Sequence, residues 1–523
     1  MKHLEKPNWQ KKNERKKSFW IILLCAFLLV PLAVGAIFVF KNVPSIRNAE
    51  VFTSEPEING NQILVKAGGD FQAALNRAKP GDTILLQAGA KFVGSFVLPN
   101  KAGSEFITIQ SSEFAKLPKD GERVSLKDAA LMPKVLSSGK GKGVIETAPG
   151  AHHYRFIGIE FAPANNDYIY NLIWLNAENP KDVPHHIEID RCYIHSNLPG
   201  VTRRGIALNS TDSIVENSYL AGFAGEGEET QGICGWSGTK NVKILNNYIE
   251  GGAENIMFGG SDPASADLIP SDIEIRGNHL NKPAEWKGKY AMKCLFELKN
   301  AKRVNFVGNY LENNWVGSAF RITVRNDGGT APFSTIEDVT VKDNFVVNAG
   351  EGVNILGADN NFPSQKLKRL TIVNNLFLDI GNKIPEAGGY FIQISGGEDV
   401  LIANNTAFNY GNIANLYGEA TENLLFRDNL VAHNAYGIHG YENIQSTEAQ
   451  KVFQNNIIVN NKKIPQSDIQ FPPNNFWIQD YNAVGFTNFA QNDFRLAPNS
   501  RFKGKGKDGK DIGSVLPMNS PAK

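Results

Sequence analysis

The chain has 523 residues, with 54 Lys and Arg against 53 Asp and Glu and a formal net charge of +1 at pH 7. This balance excludes the basic stripe of a nucleic-acid footprint, so no nucleic-acid partner is expected. Four Cys residues are too few for a disulfide framework in a chain this long, and no Cys/His spacing suggests zinc.

Residues 1–17 form a basic tail, in which Lys2, Lys6, Lys11, Lys12, Arg15, Lys16 and Lys17 face only Glu5 and Glu14. The uncharged run SFWIILLCAFLLVPLAVGAIFVF, residues 18–40, is long enough to span a bilayer core, which takes roughly 20 apolar residues. Its basic flank places the N-terminus in the cytoplasm and the bulk of the chain outside. The expectation is an uncleaved single-pass anchor in the cell membrane. The alternative is a signal segment cleaved near AVGA, 33–36, and a secreted product. Residues 41–60 read as a linker.

Residues 61–150 read as an N-terminal cap and first coils. Within GDFQAALNRAKPGDTILLQAG, 69–89, Asp70 is the N-cap of a short helix with Phe71, Ala74, Leu75 and Ala78 on one face. Pro80-Gly81 stops that helix and the strand TILLQ follows.

Residues 151–460 are a repeat. RFIGIEF (155–161), IEIDRCYI (187–194), KILNNYI (243–249), VNFVGNYL (304–311), LTIVNNLF (370–377) and VFQNNIIV (452–459) share one pattern of apolar alternation and a turn. Alternation of period two means strands, and strands recurring at a long fixed period mean stacked coils. Asn247, Asn278, Asn309, Asn344, Asn375, Asn405, Asn429 and Asn456 fall in one column, after Ile159, Cys192 and Ser218. Asn tolerates left-handed φ at a tight bend, and its amide can bond the equivalent residue one coil away. Cys192, Cys234 and Cys294 lie in apolar runs and read as buried free thiols. Residues 461–523 read as a closing segment and tail.

A second strand follows each Asn turn, as in RGIALNS (204–210), QGICGWS (231–237), ENIMFGG (254–260), LFELKN (295–300) and RITVRN (321–326). Ile206, Ile233, Ile256, Phe296 and Ile322 take lumen positions. The outer face then collects Arg204, Glu254, Glu297, Lys299, Arg321 and Arg325, with Trp236 beside them, on coils about 4.8 Å apart. One reading is a solvated face in which Lys299 pairs with Glu297 or Glu254. The other is a binding groove walled by the loops 222–230, 259–272 and 281–293, with Trp286 and Tyr290 stacking on sugar rings. Asp262, Asp267 and Asp272 are either solvated loop acids or oxygen ligands for Ca²⁺. His195, just before Arg203-Arg204, is either a structural turn histidine or a proton donor.

The coils, the capping helix and the closing stretch NDFRLAPNSRFKGKGKDGKDIGS, 492–514, resemble the right-handed parallel β-helix of the pectin-lyase-like superfamily over residues 60–513. The expected fold class is therefore all-β, a single-stranded right-handed parallel β-helix solenoid with an N-terminal capping helix. Lys299 followed by Arg321 or Arg325 one coil on is similar to the Lys-then-Arg arrangement of chondroitinase-B/alginate-lyase-like enzymes. Here Leu-Lys-Asn stands where those have Asn-Lys-Ser. The resemblance implies a polysaccharide lyase that cleaves an anionic, uronate-containing glycan by β-elimination. Lys299 would be the base, with Lys293 its rival. Arg325, Arg321, Glu254 and Glu297 would complete the catalytic set, and Ca²⁺ or Arg and Asn would neutralise the uronate carboxylate. Arg204, Trp236, Lys293, Trp286, Tyr290 and His195 would bind substrate. The metal ligands are left unassigned. Two other readings stay open. One is a glycoside hydrolase using Glu254 and Glu297 as paired carboxylates. The other is a non-catalytic glycan-binding or surface structural protein, since GGAENIMFGGSDP (251–263) and CLFELKNA (294–301) resemble a bacterial β-helix group without established activity.

Overall fold

The computed structural model describes residues 56–176, 179–382, 384, 386–440, 451–465 and 471–517. The basic tail and the apolar run 18–40 lie outside the described residues. Among the described residues, no helix is long and apolar enough to cross a membrane.

The chain winds into a parallel β-helix. Most coils contribute one strand to each of three faces, Tyr310–Thr323 and Phe345–Leu356 each running through two of them, and the strands pair in parallel with their equivalents on neighbouring coils. The first face runs from Glu57–Asn59 through strands such as His152–Ile157 and His185–Asp190 to Phe453–Gln454, and only its first pair is antiparallel. The second face begins at Lys91–Val93 and includes Tyr193–His195 and Tyr219–Ala221. The third face includes Ile169–Leu175, Thr202–Leu208, Gln231–Gly235, Glu254–Phe258, Phe296–Leu298 and the second half of Tyr310–Thr323.

Apolar burial inside the coils supplies the driving force, since no coil can bury its own face alone. Ile206, Ile233, Ile256, Phe296 and Ile322 all lie in one continuous core. Phe296 and Phe306 pack at 4.4 Å, and Phe320, Phe377, Phe391, Phe426 and Phe453 continue the aromatic file along the lumen. Cys192, Cys234 and Cys294 are buried free thiols.

The Asn column is a buried hydrogen-bond ladder. The Oδ1 of Asn309 accepts from the backbone N–H of Asn278 at 2.9 Å and from its side-chain amide at 3.0 Å. The amide of Asn309 in turn donates to Ile275 O and to Asn344 Oδ1. The same pattern repeats at Asn247, Asn344, Asn375, Asn405, Asn429 and Asn456, and ends on Asn475. One expectation needs correcting. The left-handed residue of this turn is the one before the ladder residue: Asn217 before Ser218, and Asn246, Gly277, Gly308, Asp343, Asn374, Asn404, Asp428 and Asn455 before the ladder asparagines. The ladder Asn keeps negative φ because its side chain must point inward along the stack, while its predecessor makes the bend.

The N-terminal end is closed by the helix Phe71–Arg77, in which Asp70 caps Ala73 N and Phe71, Ala74 and Leu75 are buried. At the other end, Ile478, Val484, Leu496, Phe502 and Ile512 form a second core over Leu430, Ile457 and Val459. Two straps run back along the Asn-turn corner. Residues 118–124 bond Arg191, Asn217, Asn246 and Gly277 on four successive coils, with Arg123 reaching Asn246 O at 2.8 Å and Gly277 O at 3.3 Å. Residues 505–515 bond Asn455, Asp428, Asn404 and Asn374, again on four successive coils.

Candidate functional site

The third face brings the charged residues together. In register along it stand Glu146, Trp174, Ala207, Cys234, Met257, Glu297, Arg321, Asn354, Gln393, Asn415 and His439. Ten steps of about 4.8 Å make this column roughly 48 Å long. A cavity of about 630 Å³ lies near its start, lined by Glu146, Tyr170, Asn171 and Trp174. Another of about 540 Å³ lies near its end, lined by Gln393, Asn415, Tyr417, Tyr436 and His439.

Midway lies a buried ionic cluster drawn from adjacent coils. Lys293 Nζ is 3.0 Å from Glu254 Oε1 and 2.8 Å from Glu297 Oε2. Glu297 Oε1 also lies 3.6 Å from Arg321 Nε, and Glu254 Oε2 accepts from Gln231 at 2.8 Å. The two carboxylate side chains are 0% and 1% exposed, whereas Lys293 and Arg321 are 17% and 28% exposed. The cations therefore cover the anions and form the surface.

The electrostatics divide the two acids. Burial opposes ionisation of Glu254, but the Lys293 charge and the Gln231 hydrogen bond overcome it and hold the carboxyl below its ordinary range. Burial, reinforced by the Glu254 charge, pushes Glu297 up to about 7. Burial alone would lower Lys293, but the two carboxylates outweigh it and raise its pKa. The two carboxylates therefore hold the Lys293 proton more tightly than a free lysine holds its own.

Lys299 does not pair with Glu297 or Glu254. Its Nζ lies 3.5 Å from Asp327 Oδ1, and its carbonyl accepts from Arg325 N at 2.8 Å. Arg325 reaches one coil further, bonding Asn360 and standing 3.9 Å from the buried Asp359. Arg204 lies 4.7 Å over the Trp236 ring and donates to Asn171 at 3.3 Å.

Trp286, Tyr290 and His195, expected to bind substrate, are held in other contacts. Trp286 is only 3% exposed, because the loop 281–293 packs down on the coil, so its ring offers no face to a sugar. Tyr290 stands edge-on to it at 5.9 Å. His195 is on the second face, stacked on Tyr193 at 4.3 Å with Nε2 3.3 Å from Glu160.

The donor set does not fit Ca²⁺. Glu254, Glu297 and Cys294 offer atoms within 4.8 Å of one another. Calcium takes about 6–8 oxygen ligands. Here a thiol stands among the donors, and the Lys293 ammonium already bridges the carboxylates. Of the loop acids, Asp262 caps Gly328 N and Thr330 N, and Asp272 pairs with Arg303.

Sequence reasoning missed Lys282. It is fully buried and donates to Gly251 O at 2.6 Å and Gly252 O at 2.7 Å, fixing the bend that delivers Glu254; burial lowers its pKa to about 8. A Lys followed by Pro at the mouth of an apolar-anchored loop was the available signal. Gln231, Asp327 and Asp359 were also missed, and their roles depend on which coils the loops reach.

No protein-family model matches the chain, and no curated protein matches it. Among solved structures, the chain is similar to an alginate lyase from Paenibacillus sp. str. FPU-7, at 15% identity and TM-score 0.30 over 69% of this chain and 95% of that one. It is also similar to a mannuronic acid specific polysaccharide family 6 lyase from human gut microbiota, at 12% identity and TM-score 0.43 over 80% and 91%. A third is the tailspike protein gp49 of Acinetobacter baumannii bacteriophage Fri1, a capsular polysaccharide depolymerase, at 10% identity and TM-score 0.39 over 77% and 63%. Identity and overlap this low reach no residue of the site. What the strand registers themselves establish is a parallel β-helix with one charged flank.

Proposed function

We propose that the chain is a carbohydrate-active protein that lays an anionic polysaccharide along its third face and cleaves it by β-elimination. One observation carries this reading: two buried carboxylates hold Lys293 and Arg321 at the surface, with Lys299, Arg325 and Arg204 on the same flank. Such a surface suits a chain of uronates. Lys293 and Arg321 would meet the uronate carboxylate and stabilise the charge that develops on it. Lys299 would remove the proton α to that carboxylate. The electron pair left behind forms the new double bond and expels the oxygen of the 4-linked sugar. Positive charge from Lys293 takes the place of a metal, so the reaction needs no Ca²⁺. The paired-carboxylate hydrolase is disfavoured because Glu254 and Glu297 are covered and cannot touch a glycosidic oxygen. Residues 18–40 would tether the β-helix outside the cytoplasm.

The test is a screen of the full chain on pectate, alginate and glycosaminoglycans, with and without a chelator. A lyase gives ultraviolet-absorbing unsaturated ends, undiminished by the chelator and absent in Lys299→Ala. Reducing ends without that absorbance would establish hydrolysis instead. Retention on polymer without any product would establish a binder.

A further inference from the structure

Outside the charged flank, one concentrated group of coordinating side chains stands out among the described residues, at the N-terminal ends of the first-face strands His152–Ile157 and His185–Asp190. His152 and His185 are register partners on adjacent coils. Their rings stack at 4.6 Å, 9° from parallel, and those of His153 and His186 stack at 4.4 Å, 10° from parallel. Within each coil the two Nδ1 atoms approach to 2.7 Å, His152 to His153 and His185 to His186.

This convergence has a backbone cause. Period-two alternation would send neighbouring side chains to opposite faces. His153 and His186 instead adopt φ of 58° and 54°, and this left-handed bend brings each beside its predecessor. The same bend recurs further along the corner, where the side chains have partners across coils: Asn241 with Asp212, Arg303 with Asp272, and Arg369 with Asp338. In the His coils, imidazole nitrogens face one another instead. At 2.7 Å one Nδ1 must donate and the other accept, so each pair presents a lone pair directed at a shared proton. All four rings remain partly exposed, which leaves an entry path.

We propose that this corner binds one first-row divalent transition metal ion, Zn²⁺, Ni²⁺ or Cu²⁺, through His152, His153 and His185, with His186 as a fourth imidazole. His152, His153 and His185 each offer a nitrogen within 4.8 Å of the others. Imidazole nitrogens suit these ions, whereas Ca²⁺ and Mg²⁺ require oxygen. A tetrahedral ion with bonds of about 2.0–2.1 Å separates its nitrogens by roughly 3.3 Å, so each Nδ1 pair must open by roughly 0.6 Å. The proton between them moves to Nε2 on coordination, with no change of charge. The ion would tie two adjacent coils close to the capped end.

The experiment uses the full-length chain without a polyhistidine tag. It is stripped by chelator, then dialysed against Zn²⁺, Ni²⁺, Cu²⁺ or Ca²⁺ in separate arms, and bound metal is counted by mass spectrometry. One equivalent of transition metal per chain is expected, and no Ca²⁺. Copper spectra should show nitrogen coupling. In His152→Gln/His185→Gln, affinity should fall by at least about a hundredfold, the upper end of what even the loss of an outer partner costs. No retained transition metal in the wild-type chain overturns the proposal, as does equal retention by the folded variant. If the double variant does not fold, His153→Gln takes its place under the same criteria.

Discussion

Lys293→Met isolates the ionic cluster. The substitution keeps most of the side-chain volume but removes the ammonium that lies 3.0 Å from Glu254 and 2.8 Å from Glu297. Glu254 would keep its hydrogen bond from Gln231, and Glu297 the Arg321 guanidinium at 3.6 Å. Removing one partner of a buried ion pair costs about 3–5 kcal/mol, because the remaining charge stays desolvated. The pH dependence follows from linkage. In the wild type, the depressed Glu254 contributes stability above the ordinary carboxylate value, and this is lost as pH falls through its folded value. Glu297 is raised, so its contribution is complete below 4.5 and lost as pH rises through about 7. Without Lys293 both acids behave as Glu297 does, so the variant should lose stability progressively as pH rises from acid to neutral. The expected deficit is about 3–5 kcal/mol at pH 8, falling to roughly half at pH 5. Urea unfolding followed by tryptophan fluorescence measures it, and hydrogen exchange of the Glu254–Phe258 amides localises it. A deficit at pH 8 below about 1 kcal/mol, the range of an exposed pair, would refute the reasoning. So would a deficit that does not change with pH.

Asn309→Leu should cost about 2–4 kcal/mol in the same denaturation, because it strands the amide of Asn278 and the carbonyl of Ile275 inside the stack. Lys282→Met should abolish a rise in stability between pH 8 and 10.5, where the unfolded chain binds a proton that the folded chain has lost; titration of the urea midpoint across that range checks it. Lys299→Ala should remove product while leaving polymer retention and the unfolding midpoint within about 0.5 kcal/mol of wild type, as for other loosely paired surface groups.

The solenoid was legible because its signals are local and repeated. Alternation assigns Ile206 and Phe296 to the lumen, and an Asn every 24 to 35 residues marks the corner. Which residue of the turn takes left-handed φ was not legible, since Asn occupies both positions in several coils. At the site, the strands could be placed but the loops could not. Lys293 and Lys282 sit in one loop of irregular length, and only its return to Ala253 O decides that one lysine bridges two acids while the other is buried. Trp286 misled for the same reason, because a loop that packs down hides the aromatic that an open one would display. The His-His pairs are 33 residues apart, and no metal-binding spacing in sequence reveals that one coil stacks them.

The two straps alter how such a stack can come apart. A free solenoid frays from its ends, shedding one turn at a time. Here residues 505–515 stitch the last turns together, and residues 118–124 stitch four turns further in from the N-terminal end, so unzipping from either side meets a seam that must be ripped. In a single-molecule pulling experiment, the turns under each strap should give way together in one long step, and cutting the stitch at Arg123 should break the step of the turns from Arg191 to Gly277 into a series of short ones.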